Sequence, residues 1–349
     1  MTWKTGLFTE IRGKTVVLVL SLIVSAWLTQ PAAALTDDLK DCMMQSMEST
    51  DFDSMTIAEL RLKCNEDIKS GVFFQEEPKE AQPEVVKERM RMDKEHVLQP
   101  FTLMVHKPSY ILLGAYNSNS YDSSLYQDQF DDPEFQLDDI EAQFQLSIKF
   151  PLLVNLFRDK MDVYAAYTNH SFWQVYNANS SPFRETNHEP EIWGQFHPGW
   201  ELFGFKNTWN SFGAVHQSNG RSGTLSRSWN RLYAWLTVER GNFAMSFKPW
   251  YRIPDDKGGD NPDITDYLGH FELSATYKWH EHVFSAMSRN NLESGFEKGA
   301  VELSWSFPLW DYPYLKGYVQ YFYGYGESLI DYNHRVNRIG IGFSLSDWL

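Results

Sequence analysis

From Pro100 onward the chain alternates apolar and polar residues, and it holds the alternation for nine or more residues at a stretch. In IEAQFQLSIKF, Ala142, Phe144, Leu146, Ile148 and Phe150 share one parity, and Gln143, Gln145, Ser147 and Lys149 share the other. YLGHFELSATYKW sets Phe271, Leu273, Ala275, Tyr277 and Trp279 against His270, Glu272, Ser274, Thr276 and Lys278. AVELSWSF repeats the pattern, and RIGIGFSLSDW opposes Ile339, Ile341, Phe343 and Leu345 to Gly340, Gly342, Ser344 and Ser346. Successive side chains of a strand point to opposite faces, so each segment is a strand with one oily and one polar face. A strand that crosses a bilayer at a tilt needs about 9–11 residues. The pattern therefore suits a membrane-spanning sheet with a polar interior.

Twelve such strands fit between Ser109 and Trp348. Their centres are Leu112, Leu146, Ala166, Ile192, Phe205 to Ala214, Ala234, Phe247, Leu273, Ala286, Leu303, Val319 and Ile341. An even number returns both ends to one side, the periplasm in bacterial barrels, where turns are short while outer loops are long. FHPGWE, ERGN and WHEH, after strands four, six and eight, are short. SNSYDSSLYQDQFDDPEFQLDD and RIPDDKGGDNPDITD, after strands one and seven, are long. LLVNLFRDKM, after strand two, fits this alternation less well. The fold class is all-β: a twelve-stranded antiparallel transmembrane β-barrel over residues 100–349, with a small, partly helical N-terminal extension. A soluble β-sandwich is the alternative that the alternating loop lengths disfavour.

Composition agrees with strands rather than helices as the spanning elements. Aromatics make up 16% of the chain, mean hydropathy is −0.45, and beyond residue 34 no apolar run approaches a membrane helix. At the start, Lys4, Arg12 and Lys14 precede TVVLVLSLIVSAWL and the small-residue exit PAAA, so residues 1–34 read as a secretory signal cut after Ala34. A retained membrane anchor is the alternative reading. The formal charge is −15, and removing the signal makes the remainder more acidic still, which argues against a nucleic-acid partner. Residues 35–99 form a periplasmic extension without alternation, rich in Met, Glu and Lys. It holds both cysteines, Cys42 and Cys64, which an oxidising compartment would join in a disulfide.

One hairpin carries candidate chemistry. HQSNGRSGTLSRSWN runs from His216 to Asn230. Residues two apart share a face on a strand, so His216 and Ser218 belong side by side. Asn230 shares parity with Leu232, Ala234, Leu236 and Val238, the apolar and hence lipid-facing set. The face of His216 is less clear, because Trp209 and Val215 occupy the opposite parity. If strands five and six pair, all three polar groups meet on the outer wall near the outer rim. Polar groups facing hydrocarbon are expensive, and chemistry on lipid is a reason to keep them. His216 would take the Ser218 proton and Asn230 would orient the imidazole. A neutral amide steadies an imidazolium less than a carboxylate does, so a backbone N–H or a metal ion is needed at the oxyanion. Asn219-Gly220 offers a tight turn and an accessible amide. The plain alternative is that SNGRSG is merely a hairpin loop. The Asp-rich DPEFQLDD and DNPDITD could bind calcium, but these residues are ordinary turn formers. His270, Glu272 and Lys278 are expected in the lumen, and His280 and His282 in a solvated turn.

HQSNGRSGTLSRSWNRLYA resembles the active-site segment of the outer-membrane phospholipase A family of Gram-negative bacteria. SSPFRETNHEPE from Ser180, KPWY from Lys248, DNPDITDYLG from Asp260 and GYGESLIDYN from Gly324 carry the resemblance further, over residues 98–349 in order. It implies a calcium-dependent hydrolase of outer-leaflet glycerophospholipids and lysophospholipids, of A1 and A2 type, in the outer membrane and active as a homodimer. It implies a triad of Ser218, His216 and Asn230, with Gly220 as the oxyanion amide. It implies Ca2+ bound by the Arg221 carbonyl, the Ser226 hydroxyl and Ser180 of a second copy. A barrel that kept the sequence but lost the chemistry, as a channel or binding surface, is the rival reading.

Overall fold

The computed structural model describes residues 39, 42, 57–70, 84–97, 103–178, 182–254, 259–290, 294–295, 297–310 and 312–347. The expected signal over residues 1–34 and the candidate ligand Ser180 lie outside these residues.

The alternation becomes twelve long strands: β1 (Ser109–Asn117), β2 (Ile140–Asn155), β3 (Met161–Trp173), β4 (Phe183–Phe196), β5 (Phe205–Ser218), β6 (Ser228–Arg240), β7 (Phe243–Ile253), β8 (Phe271–Trp279), β9 (His282–Asn290), β10 (Gly299–Leu309), β11 (Tyr312–Gly324) and β12 (Val336–Ser346). Every expected centre falls inside one of them. Each strand pairs antiparallel with the next, and β12 pairs with β1, so the sheet closes and leaves no edge. Two-residue strands, Met104–Val105 and Glu201–Leu202, lie alongside β2 and β5. The turns after β6 and β8 are Gly241-Asn242 and His280-Glu281, whereas residues 118–139 make a long loop after β1 and a long stretch of chain separates Ile253 from Phe271. LLVNLFRDKM turns out to obey the same rule. Leu152–Asn155 extend β2 and Met161 opens β3, leaving a tight turn at 156–160. Pro151 sits within β2 beside a register shift, where its missing N–H is tolerated.

The two faces separate as the parity requires. Leu146 is 47% exposed and Ile341 62% exposed on the outer wall, while Gln143 is wholly buried inside. In a soluble protein such a belt would be an aggregation surface; in a bilayer it is the lipid contact. The interior is packed with paired charges. Arg184 donates to Glu141 at 2.9 Å and also pairs with Asp331, and Arg338 pairs with Glu327. Glu272 lines the interior as expected, whereas His270 stands exposed just ahead of β8. His282 is not simply solvated: it stacks with Trp279 and Trp305 in an aromatic cluster at the short-turn end.

The chain divides into two compact units, residues 1–81 and 82–349. In the first, α1 (Ile57–Ser70) carries Cys64, which is disulfide-bonded to Cys42, and Leu60 packs beside the bridge. In the second, α2 (Val85–Val97) belongs with the barrel. The Val85 and Val86 amides donate to Gly241 O and to Glu239 Oε2, the latter at 2.7 Å, and Asp93 pairs with Lys149. The expected boundary at 99/100 thus differs from the structural one at 81/82. Through Asp93 and its first amides, α2 contacts Lys149 of β2 and Glu239 near the end of β6.

Candidate active site

The β5–β6 hairpin sets His216 directly opposite Asn230 and Ser218 opposite Ser228. The outer wall is their face. Trp209, Val215 and Trp229, of the opposite parity, are buried, while Phe212 is 59% exposed. His216 Nδ1 lies 2.8 Å from Asn230 Oδ1. A carbonyl oxygen only accepts, so Nδ1 donates, and Nε2 of the neutral ring is left as a base. Ser218 stands two residues along β5 on the same face, the position from which a hydroxyl addresses that base.

The following loop is built around Asn219, which is buried. Its Nδ2 donates to Leu225 O at 2.8 Å, and its Oδ1 accepts from the Arg227 and Arg221 amides at 3.0 and 3.3 Å. One side chain thereby fixes the loop that carries Gly220, Arg221 and Ser226. Gly220 has φ +64°, a left-handed conformation that glycine adopts without a Cβ clash. The Arg221 guanidinium reaches Phe183 O and Arg184 O at 3.1 and 2.6 Å, tying the loop to the start of β4.

The outer loop after β7, which contains α3 (Ile264–Leu268), closes on the other side. Ser226 Oγ donates to Asp260, and the Ser228 amide donates to Asn261 Oδ1 at 3.0 Å. A serine hydroxyl with a carboxylate against it is an oxygen donor set that suits a hard cation. DPEFQLDD instead packs as a loop, with Phe135 and Leu137 buried. Among the described residues no group of three or more His, Cys, Asp or Glu could hold a metal.

Sequence reasoning took Asn219 only as a turn former, set aside Asp260 as one too, and gave His188 no role. His188 pairs with Ser218 across β4 and β5, and its Nδ1 lies 2.6 Å from Tyr167 Oη. Its parity within RETNHEPEIW was the available signal.

A closed barrel with an apolar outer wall, bearing a histidine–amide pair and a serine on that wall, defines a membrane-embedded β-barrel of hydrolase type. The phospholipase A1 family model matches residues 86–345. The phospholipase A1 of Proteus vulgaris is 39% identical over 249 residues, 71% of this chain and 83% of that protein. The structure of outer membrane phospholipase A from Escherichia coli superposes with a TM-score of 0.65 at 36% identity, covering 71% of this chain and all of that one. The Salmonella typhi outer membrane phospholipase, solved as a dimer with bound calcium, gives 0.64 at 37% identity, covering 72% of this chain and 96% of that one. The chain belongs to the phospholipase A1 family, a family of lipid ester hydrolases.

Proposed function

We propose that this barrel sits in the outer membrane and hydrolyses the acyl esters of glycerophospholipids and lysophospholipids in the outer leaflet. The carrying observation is the 2.8 Å contact of His216 with Asn230, beside Ser218 on a wall that faces lipid. Lipid reaches such a site laterally, without leaving the membrane plane.

Ser218 Oγ attacks the ester carbonyl carbon while His216 Nε2 takes its proton, and Asn230 Oδ1 holds the imidazolium through Nδ1–H. The carbonyl oxygen becomes an oxyanion facing the Gly220 amide. The imidazolium then protonates the glycerol oxygen, which leaves as the lysolipid, and an acyl group remains on Ser218. Water repeats the sequence with His216 as base, releases the fatty acid and restores the hydroxyl. The Arg221 carbonyl and the Ser226 hydroxyl would hold calcium beside Asp260, with Ser180 of a second copy completing the shell in a homodimer. Bound there, the ion would supply positive charge next to the oxyanion, which the neutral Asn230 does not. The calcium-bound dimer of the Salmonella typhi relative supports that reading.

The test is phospholipid hydrolysis by purified, detergent-solubilised protein, with calcium and with excess chelator, beside Ser218→Ala. Turnover should fall to background in Ser218→Ala and in chelator. A correctly inserted Ser218→Ala that still cleaves phospholipid would end the proposal. Full activity in chelator would remove calcium from it.

A further inference from the structure

We propose that His188, backed by Tyr167, is a second N–H donor to the oxyanion, so that the attacked carbonyl oxygen lies between the Gly220 amide and His188 Nε2. The inference rests on the hydrolase reading above and extends it to a residue on a third strand.

Three observations converge. His188 and Ser218 are direct register partners on β4 and β5, and such pairs set their Cβ atoms about 4.5–5.5 Å apart on one face. That face is the outer wall, since Ile192 on the same parity is exposed and Glu185 and Glu191 on the other are buried. The edge that His188 turns toward the loop is the Nε2 edge. A Cβ built on Gly220 would lie 3.7 Å from its Cδ2 and 3.8 Å from its Nε2. Finally, Nδ1 is engaged by Tyr167 Oη at 2.6 Å. A phenol is a stronger acid than a neutral imidazole N–H, and the imine nitrogen is the better acceptor, so Tyr167 donates and the ring proton resides on Nε2.

The two histidines flanking Ser218 are thus held in opposite tautomers. At His216, Asn230 accepts from Nδ1 and leaves Nε2 bare, as a base requires. At His188, Tyr167 donates to Nδ1 and leaves Nε2–H free, as an oxyanion donor requires. A donor that gains strength only as the oxygen becomes negative raises kcat and leaves substrate binding nearly unchanged.

The experiment compares wild type, His188→Phe, His188→Gln, Tyr167→Phe and Ser218→Ala in detergent at saturating calcium. Each protein is first checked for the heat-dependent gel shift of a folded barrel. His188→Phe keeps a ring but no donor, and its kcat should drop about 10²-fold with KM within about twofold. His188→Gln returns an N–H near the Nε2 position and should recover part of the loss. Tyr167→Phe frees the tautomer and should lower kcat about two- to tenfold. The calcium concentration for half-maximal activity should not move. Wild-type kcat in folded His188→Phe, or a loss seen only in KM or in calcium affinity, overturns the inference while an inactive Ser218→Ala leaves the hydrolase reading standing. Should His188→Phe fail to fold, Tyr167→Phe decides: an unchanged kcat there overturns the inference too. Equal turnover in wild type and Ser218→Ala overturns the hydrolase reading, and this inference with it.

Discussion

Asn219 does for the loop what Asn230 does for the imidazole: it fixes a geometry and adds no charge. Its side chain makes bonds to Leu225 O and to the amides of Arg221 and Arg227, all inside a buried position. Asn219→Ala leaves those groups unpaired at about 1–3 kcal/mol each. The loop carrying Arg221 and Ser226 should loosen. We expect the half-maximal calcium concentration to rise severalfold while kcat at saturating calcium changes less, measured as activity against free calcium. Equal calcium curves for mutant and wild type would show that Asn219 does not shape the site. In sequence, the outward face of Asn230 and the shared side of His216 and Ser218 were legible because strand parity is a strict period, whereas the face of His216 waited on the pairing of β5 with β6. Asn219 was legible only as a turn former, since the targets of its side chain exist only once the loop has closed. Asp260 was dismissed for the same reason: its contact with Ser226 spans 34 residues of chain.

Among the elements, α2 was the least legible. VVKERMRMDKEHV has charges all around and reads as a charged, partly helical linker, because its partners Lys149 and Glu239 lie far along the chain. Asp93 meets Lys149, which is 4% exposed, and the helix start meets Glu239, which is fully buried. Removing one member of a buried pair strands the other charge, at about 3–5 kcal/mol. Asp93→Ala should therefore lower the urea midpoint of the folded barrel, and Asp93→Ala with Lys149→Met should restore most of it. An unchanged midpoint in Asp93→Ala would mean that α2 rests on the barrel without bracing it. The strands themselves were legible to the centre of each, but Pro151 disguised the end of β2, because a proline inside a strand reads as a break unless a bulge accommodates it.

For the whole molecule, closure is the condition on which the outer wall depends, since an open edge in hydrocarbon would leave a row of backbone groups unbonded. Closure takes place at β12 and β1, where the register shifts between Ile341 and Gly342. A Cβ on Gly342 would lie 1.9 Å from Ile111 O and 2.8 Å from Leu112 Cα, both backbone atoms that cannot swing aside. Gly114, which pairs with Ile341 on the same seam, has nothing within 4 Å of a built Cβ. The two glycines therefore separate the effect of an added methyl from the effect of losing a glycine at the seam. Gly342→Ala should force β12 away from β1, abolish the heat-dependent gel shift and leave the protein protease-sensitive after refolding into vesicles. Gly114→Ala should fold and retain its activity. If both alanines fold alike, the seam yields more than the backbone contacts allow, and closure is held elsewhere in the sheet. If only Gly342→Ala fails, the single approach of Gly342 to Ile111 is what lets a sheet of alternating strands become a wall that lipid can wet.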